Sequence, residues 1–171
     1  MDIIIFIDYI GFYGPIITFI TTFYYLLNQQ SFIYTPFLTT IFKNINQNIY
    51  LLLFILGSIT NISINEILKN TIQEPRPIGQ KYFIDSNELT GPHLYGMPSA
   101  HTQSCFFALT YIYLLRGPTY SILFMLFISL LTFYQRWKYN RHTILQLLIG
   151  SIIGSLYAWC IITITQYYLY R

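Results

Sequence analysis

Two histidines and three cations hold the spacings in this 171-residue chain that are best suited to chemistry. Lys69 and Arg76 stand in KNTIQEPRP, His101 in YGMPSAHTQS, and Arg136 and His142 in QRWKYNRHTILQ. A guanidinium offers phosphate oxygens a planar fork of donors, and an ammonium offers a point charge. Gly96 permits an unusual turn, and Pro98 suits the first position of a helix, where its missing N–H costs nothing. The N–H groups around Ser99, Ala100 and His101 then point out of a helix N-terminus, which is a ready anion site. Gln146 follows His142 by four residues, the spacing of one helical face. Its amide oxygen is expected to accept the Nδ1–H of His142 and leave Nε2 free to attack. These residues amount to a phosphate site with a nucleophile and an acid.

Apolar helices must carry them. The chain is 54% hydrophobic, 19% aromatic and 9% charged, against about a quarter charged in an ordinary soluble domain. Apolar runs cover 10–27, 49–68, 98–115, 120–134 and 144–168, and a helix that crosses a bilayer needs about 20 such residues. The expected fold is all-α: a polytopic transmembrane bundle of about five spans. Residues 32–42, which include Pro36, are too short to span and read as an interfacial or re-entrant segment. The amino terminus has Asp2 and Asp8 where a secretory signal would carry Lys or Arg, so it reads as a retained first span. One domain uses the whole chain, 1–171. GSIIG, 150–154, has small residues spaced to let a neighbouring helix approach closely. Cys105 and Cys160 lie in apolar helices and suggest no disulfide framework.

The formal net charge is +3, and the nine Lys and Arg form neither the stripe nor the tail that would favour a nucleic-acid partner. Six of them, Lys69, Arg76, Lys81, Arg136, Lys138 and Arg141, fall at helix ends or in the two loops after 68 and after 134. Those loops share one membrane face, because the span from Pro98 leaves it and the span from Tyr120 returns after a turn at Gly117 and Pro118. By the positive-inside rule that face would be cytoplasmic, but charges held for binding an anion distort the count. Lys138 and Arg141 read as lipid-headgroup anchors, and Glu66 and Glu74 as counter-charges to Lys69 and Arg76. No metal ligand set is evident: His93 stands alone in a polar loop and the carboxylates are scattered. No cofactor is implied.

Lys, six residues, Arg-Pro, then Pro-Ser-x-His, then Arg, five residues, His, in this order, resembles the type-2 phosphatidic acid phosphatase superfamily. NEILKNTIQEPRP, YGMPSAHTQ and HTILQ are most similar to its dolichyl diphosphatase branch, with Gln146 where the wider superfamily has Asp. Ala100 departs from the usual Gly, or from Ser in that branch, and Gln135 departs from a Ser that offers phosphate a hydroxyl. The resemblance implies metal-independent, two-step transfer of the outer phosphate of a dolichyl-type diphosphate. His142 would be the nucleophile and His101 the acid, while Lys69, Arg76, Arg136, Ser99 and Ala100 would hold the phosphate. It also implies an endoplasmic reticulum membrane protein with a lumenal site. The alternatives are a phosphatase for phosphatidic acid or another lipid monoester, and a catalytically weak lipid-binding relative. The partners expected are the lipid substrate and the surrounding bilayer, with oligomeric state left open.

Overall fold

A computed structural model describes residues 3–28, 37–81, 83, 94–117 and 119–169, with 37–47 as backbone only. Six helices follow one another: α1 (Ile3–Phe12), α2 (Gly14–Asn28), α3 (Phe37–Ile72), α4 (Ala100–Arg116), α5 (Tyr120–Lys138) and α6 (Ile144–Leu169). The described residues contain no strand, only an isolated antiparallel bridge between Pro75 and Tyr95.

Residues 48–72 of α3 and all of α6 are long and apolar enough to cross a membrane. The expected first span is instead two helices, α1 and α2, bent by 63° at Tyr13, and the pair counts as a third crossing if taken as one. The bend has a local cause, since Pro15 lacks the N–H that would bond the carbonyl of Gly11. α4 has 17 residues, and α5 closes on Gln135, Arg136 and Lys138, so neither meets the same measure of length and apolarity. Large apolar side chains nevertheless stay exposed along the outer faces, among them Leu123, Phe127, Ile152 and Trp159. Helices with such faces need hydrocarbon around them, and the chain is an integral membrane protein. Of the segment expected to be interfacial or re-entrant, 32–36 lies outside the described residues and 37–42 forms the first turns of α3, ahead of its crossing part.

α6 lies closest against α4. A Cβ at Gly150 would stand 2.6 Å from both the Ser99 carbonyl oxygen and the Thr102 hydroxyl, and one at Gly154 would strike the backbone of Gln103. The small-residue spacing of GSIIG therefore brings the start of α4 against α6. Further into the bundle, Phe54, Phe107, Tyr111, Ile112, Met125 and Ile162 form the apolar core.

A polar ladder crosses the bundle next to that core. Asn61, Asn65 and Lys69 recur every four residues on one face of α3 and are all buried. Gln103 Nε2 donates to Asn61 Oδ1 at 2.9 Å, and Asn65 Nδ2 donates to Gln103 Oε1 at 2.7 Å and to the Pro98 carbonyl at 3.2 Å. Each of these buried amides finds a partner, and together they tie α3 to the entry of α4.

Candidate active site

The three motif segments meet at one end of the bundle. α3 ends at Ile72 because Gln73 turns left-handed at φ 54° and its N–H bonds the Lys69 carbonyl at 3.0 Å. The helix thus stops at Ile72, ahead of Pro75, and the chain continues extended through Arg76. Gly96 N–H then donates to the Glu74 carbonyl at 2.8 Å, which fastens the second motif to the first.

The third motif owes its Arg-to-His spacing to a helix cap. Asn140 adopts φ 51°, its N–H bonds the Trp137 carbonyl at 2.9 Å, and the Arg141 N–H bonds the Arg136 carbonyl at 3.0 Å. This pair of bonds is a Schellman motif. It closes α5 just after Arg136 and turns the chain so that His142 returns towards it.

His142 is buried, and its two nitrogens meet different neighbours. Nδ1 lies 2.8 Å from the Gly96 carbonyl, and Nε2 lies 3.3 Å from Nη1 of Arg76. A carbonyl only accepts and a guanidinium only donates, so Nδ1 carries the proton and Nε2 presents its lone pair. Burial first, then the charges of Arg76, Arg136 and Lys69, hold His142 well below the usual imidazole pKa, against an upward pull from the Gly96 carbonyl. The ring is therefore neutral at physiological pH. The charges of those three cations all reach His142.

Lys69 is buried and donates to the Tyr95 carbonyl at 3.1 Å, while Arg76 Nη1 also donates to the Arg141 carbonyl at 3.0 Å. Arg136 Nη2 lies 2.9 Å from Nδ1 and 2.6 Å from Nε2 of His101. The ring of His101 thus has the Arg136 guanidinium directly against it.

At the second motif, Pro98 precedes the helix instead of opening it. Ser99 is the N-cap, and Ala100 and His101 are the first two helical residues. The Ser99 N–H is occupied by the Gln146 carbonyl at 3.1 Å, so anion-directed donors begin at Ala100. Ser99 Oγ makes no capping bond and is buried without a hydrogen-bond partner. Gly96 does not have a positive φ; it is needed for space, because a Cβ there would lie 2.6 Å from the amide carbon of Gln146.

Gln146 does not orient His142. His142 lies ahead of α6, so the four-residue helical spacing does not apply to it. Gln146 instead forms a capping box with Thr143: Thr143 N–H donates to Gln146 Oε1 at 3.1 Å and Gln146 N–H to Thr143 Oγ1 at 3.2 Å. Its Nε2 donates to Glu74 Oε1 and to the Pro75 carbonyl, both at 2.9 Å. Glu74 is therefore engaged by an amide.

Further residues surround the site. Arg141 is 7% exposed and lends its carbonyl to Arg76, unlike a lipid anchor. Phe12 of α1 stands with its ring 5.3 Å from the Arg136 guanidinium and 5.9 Å from the His101 ring. Lys138, also expected as an anchor, pairs with buried Asp8 at 2.6 Å, and Tyr139 O–H donates to the same carboxylate at 2.9 Å. The Asp8 contacts fasten α1, and hence Phe12, over the site. Gln135 is buried against Gly11 on that same α1 contact. Among the described residues no group of three His, Cys, Asp or Glu is arranged to hold a metal ion, and His93 lies outside them.

The sequence model of the PAP2 superfamily matches residues 46–170, which include every motif just described. The chain belongs to the PAP2 superfamily. Within this superfamily it is similar to Dolichyldiphosphatase 1 of Homo sapiens, 32% identical over 163 residues, and of Mus musculus, 34% identical over 163 residues. Each match covers 81% of this chain and 63% of the relative, so the chain spans a little under two-thirds of those proteins. The protein of that name from Rhinolophus ferrumequinum is 34% identical over 134 residues, covering 66% of this chain and 52% of its own length. No solved structure matches. Phe12 and Asp8 precede the matched family region, so the α1 contribution is additional to the PAP2 motifs.

Proposed function

We propose that this chain removes the terminal phosphate of an isoprenoid diphosphate of the dolichyl type through a phosphohistidine on His142. The observation that carries the reading is the fixed tautomer of His142, whose Nε2 lone pair faces the cluster of cations. Similarity to the dolichyldiphosphatases supports the substrate class.

In the first step, Nε2 bonds the terminal phosphorus and the bond to the bridging oxygen breaks. Incoming phosphate draws Arg136 onto its oxygens and off the His101 ring, and its negative charge favours the imidazolium. His101 then gives its proton to the departing lipid monophosphate. In the second step, neutral His101 takes a proton from water, which attacks the phosphorus, breaks the P–N bond and releases inorganic phosphate. Splitting one displacement into two is the general advantage of a covalent intermediate.

Lys69, Arg76, Arg136, the N–H groups of Ala100 and His101 and the orphaned Ser99 hydroxyl hold the equatorial oxygens. Positioning and charge stabilisation of this kind dominate phosphoryl transfer. A diphosphate suits a His142 that has no carboxylate behind it, because its leaving group is a phosphate monoester, better than an alkoxide. The scheme uses no metal ion. By the same resemblance, the proposed reaction belongs to the lumenal side of the endoplasmic reticulum membrane.

Phosphate release by detergent-purified protein, measured with EDTA present, tests the reading. Release from dolichyl diphosphate well above that from phosphatidic acid, lost in His142→Ala, is expected. Preference for phosphatidic acid overturns the substrate class, and release from neither lipid overturns the activity.

A further inference from the structure

Gln146 touches every motif of the site. Its carbonyl holds the Ser99 N–H, its Oε1 holds the Thr143 N–H beside His142, and both protons of its Nε2 are committed to the Glu74–Pro75 segment that leads into Arg76. Gly96, whose carbonyl sets the His142 tautomer, packs directly on the same amide. Gln146 is fully buried and Glu74 half-buried, so water does not compete equally for these bonds.

We infer that Gln146 and Glu74 form a coupled positioning pair that holds the Arg76 loop against the start of α6, so that Arg76 faces Nε2 of His142. The pair rests on the reading of Arg76 as a phosphate ligand given above. Its logic is the donor count. Oε1 of residue 146 must accept from Thr143, while the other terminal atom must donate to a carboxylate and a carbonyl. Only an amide does both. A carboxylate at 146 would still accept from Thr143 but would face the Glu74 carboxylate and the Pro75 carbonyl without a proton to offer. An acidic side chain at 146 is thus incompatible with Glu74, which explains Gln146 from contacts within this chain.

The prediction is a pattern across four proteins. Gln146→Glu lowers kcat/KM by about 100-fold, the scale of a roughly 1 Å misplacement of a catalytic group, and weakens inhibition by inorganic phosphate in parallel, because Arg76 is displaced. Glu74→Gln keeps an acceptor for Nε2 and stays near wild type. Combining Glu74→Gln with Gln146→Glu restores a donor opposite the new carboxylate and recovers most of the kcat/KM and the phosphate inhibition. A Gln146→Glu protein that matches wild type, or a double variant no better than the single, overturns the inference.

Glu74→Lys, which sets a donor against a donor on a half-exposed loop, keeps the test decisive if Gln146→Glu does not fold. It should resemble Gln146→Glu in kcat/KM and phosphate inhibition, and wild-type behaviour contradicts the pair. Unfolding midpoints of the wild type, Glu74→Gln, Gln146→Glu and the double variant read the same coupling without catalysis. A midpoint cycle with no coupling overturns the pair even when the enzyme is active. A coupled cycle in a wild type that releases no phosphate would leave the pair standing and refute the phosphatase reading.

Discussion

The carbonyl of Gly96 accepts the Nδ1–H of His142 at 2.8 Å, and the geometry leaves no room for a side chain at residue 96. One small residue thus sets the tautomer of His142 and admits the Gln146 amide behind it. Gly96→Ala drives a methyl group into that amide. We expect kcat/KM to fall by about 100-fold or more, as for a misplaced catalytic group, with the helical circular dichroism of the detergent-solubilised protein unchanged. Activity within a factor of a few of wild type would contradict the arrangement.

The pH dependence has a definite sign. Burial and the surrounding cations depress the pKa of His142, so the ring stays neutral, and able to attack, at pH values below the ordinary imidazole range. The acid limb of kcat/KM, which reports groups of the free enzyme, should therefore fall clearly below about pH 6.5. The same shift bears on stability. The unfolded chain takes up a proton that folded His142 refuses, so its contribution is full above the unfolded pKa and is lost as the pH falls through the interval down to the folded one. A profile of kcat/KM against pH checks the first statement, and unfolding midpoints across the same range check the second.

Asn65 uses both of its amide protons, on Gln103 and on the Pro98 carbonyl. Asn65→Leu leaves those two acceptors buried and unpaired, at a cost of about 1–3 kcal/mol for each group. The variant should unfold at a lower temperature and lose activity, because the ladder sets the position of the Pro-Ser-Ala-His turn. Thermal unfolding and phosphate release on the same preparation measure both effects.

α1 acts through Phe12. Phe12→Leu removes the ring from the face of Arg136, an interaction worth about 0.5–2 kcal/mol, and kcat/KM should fall by about 2- to 30-fold on that scale. Phe12→Tyr keeps the ring and should keep the rate. Asp8→Ala frees α1 from Lys138 and Tyr139 and should lower stability by about 1–3 kcal/mol, read as an unfolding midpoint.

The cations and histidines were legible in the sequence because their chemistry is intrinsic and their spacing marks helix ends. Lys69, Arg136 and His142 lie at or just beyond the ends of apolar runs, His101 lies near the start of one, and Arg76 lies in the loop between two. The partners of those groups were not legible. Gln146 stands four residues after His142, yet α6 begins at Ile144, so a helical rule applied one turn too early assigned the wrong acceptor. The Thr143-x-x-Gln146 spacing of a capping box carried the right signal. Arg141 looked like any arginine at a membrane boundary, and only the Schellman turn at Asn140 brings it inward. Phe12 left no trace in the pattern, since an aromatic residue in an apolar run says nothing about which arginine it will cover. The bend at Tyr13 had a signal in Pro15 that the continuous apolar run concealed.

The central claim is that His142 carries the phosphoryl group, and trapping it is the most direct measurement. Purified protein is mixed with dolichyl diphosphate labelled in its terminal phosphate, quenched in alkali within the first turnovers and examined for label bound to protein. The account predicts a base-stable, acid-labile phosphoprotein that is absent from His142→Ala and, once formed, decays more slowly in His101→Ala, where the second step lacks its base. Phosphate release by the wild type with no trapped label in either protein, or label that persists in His142→Ala, would contradict it.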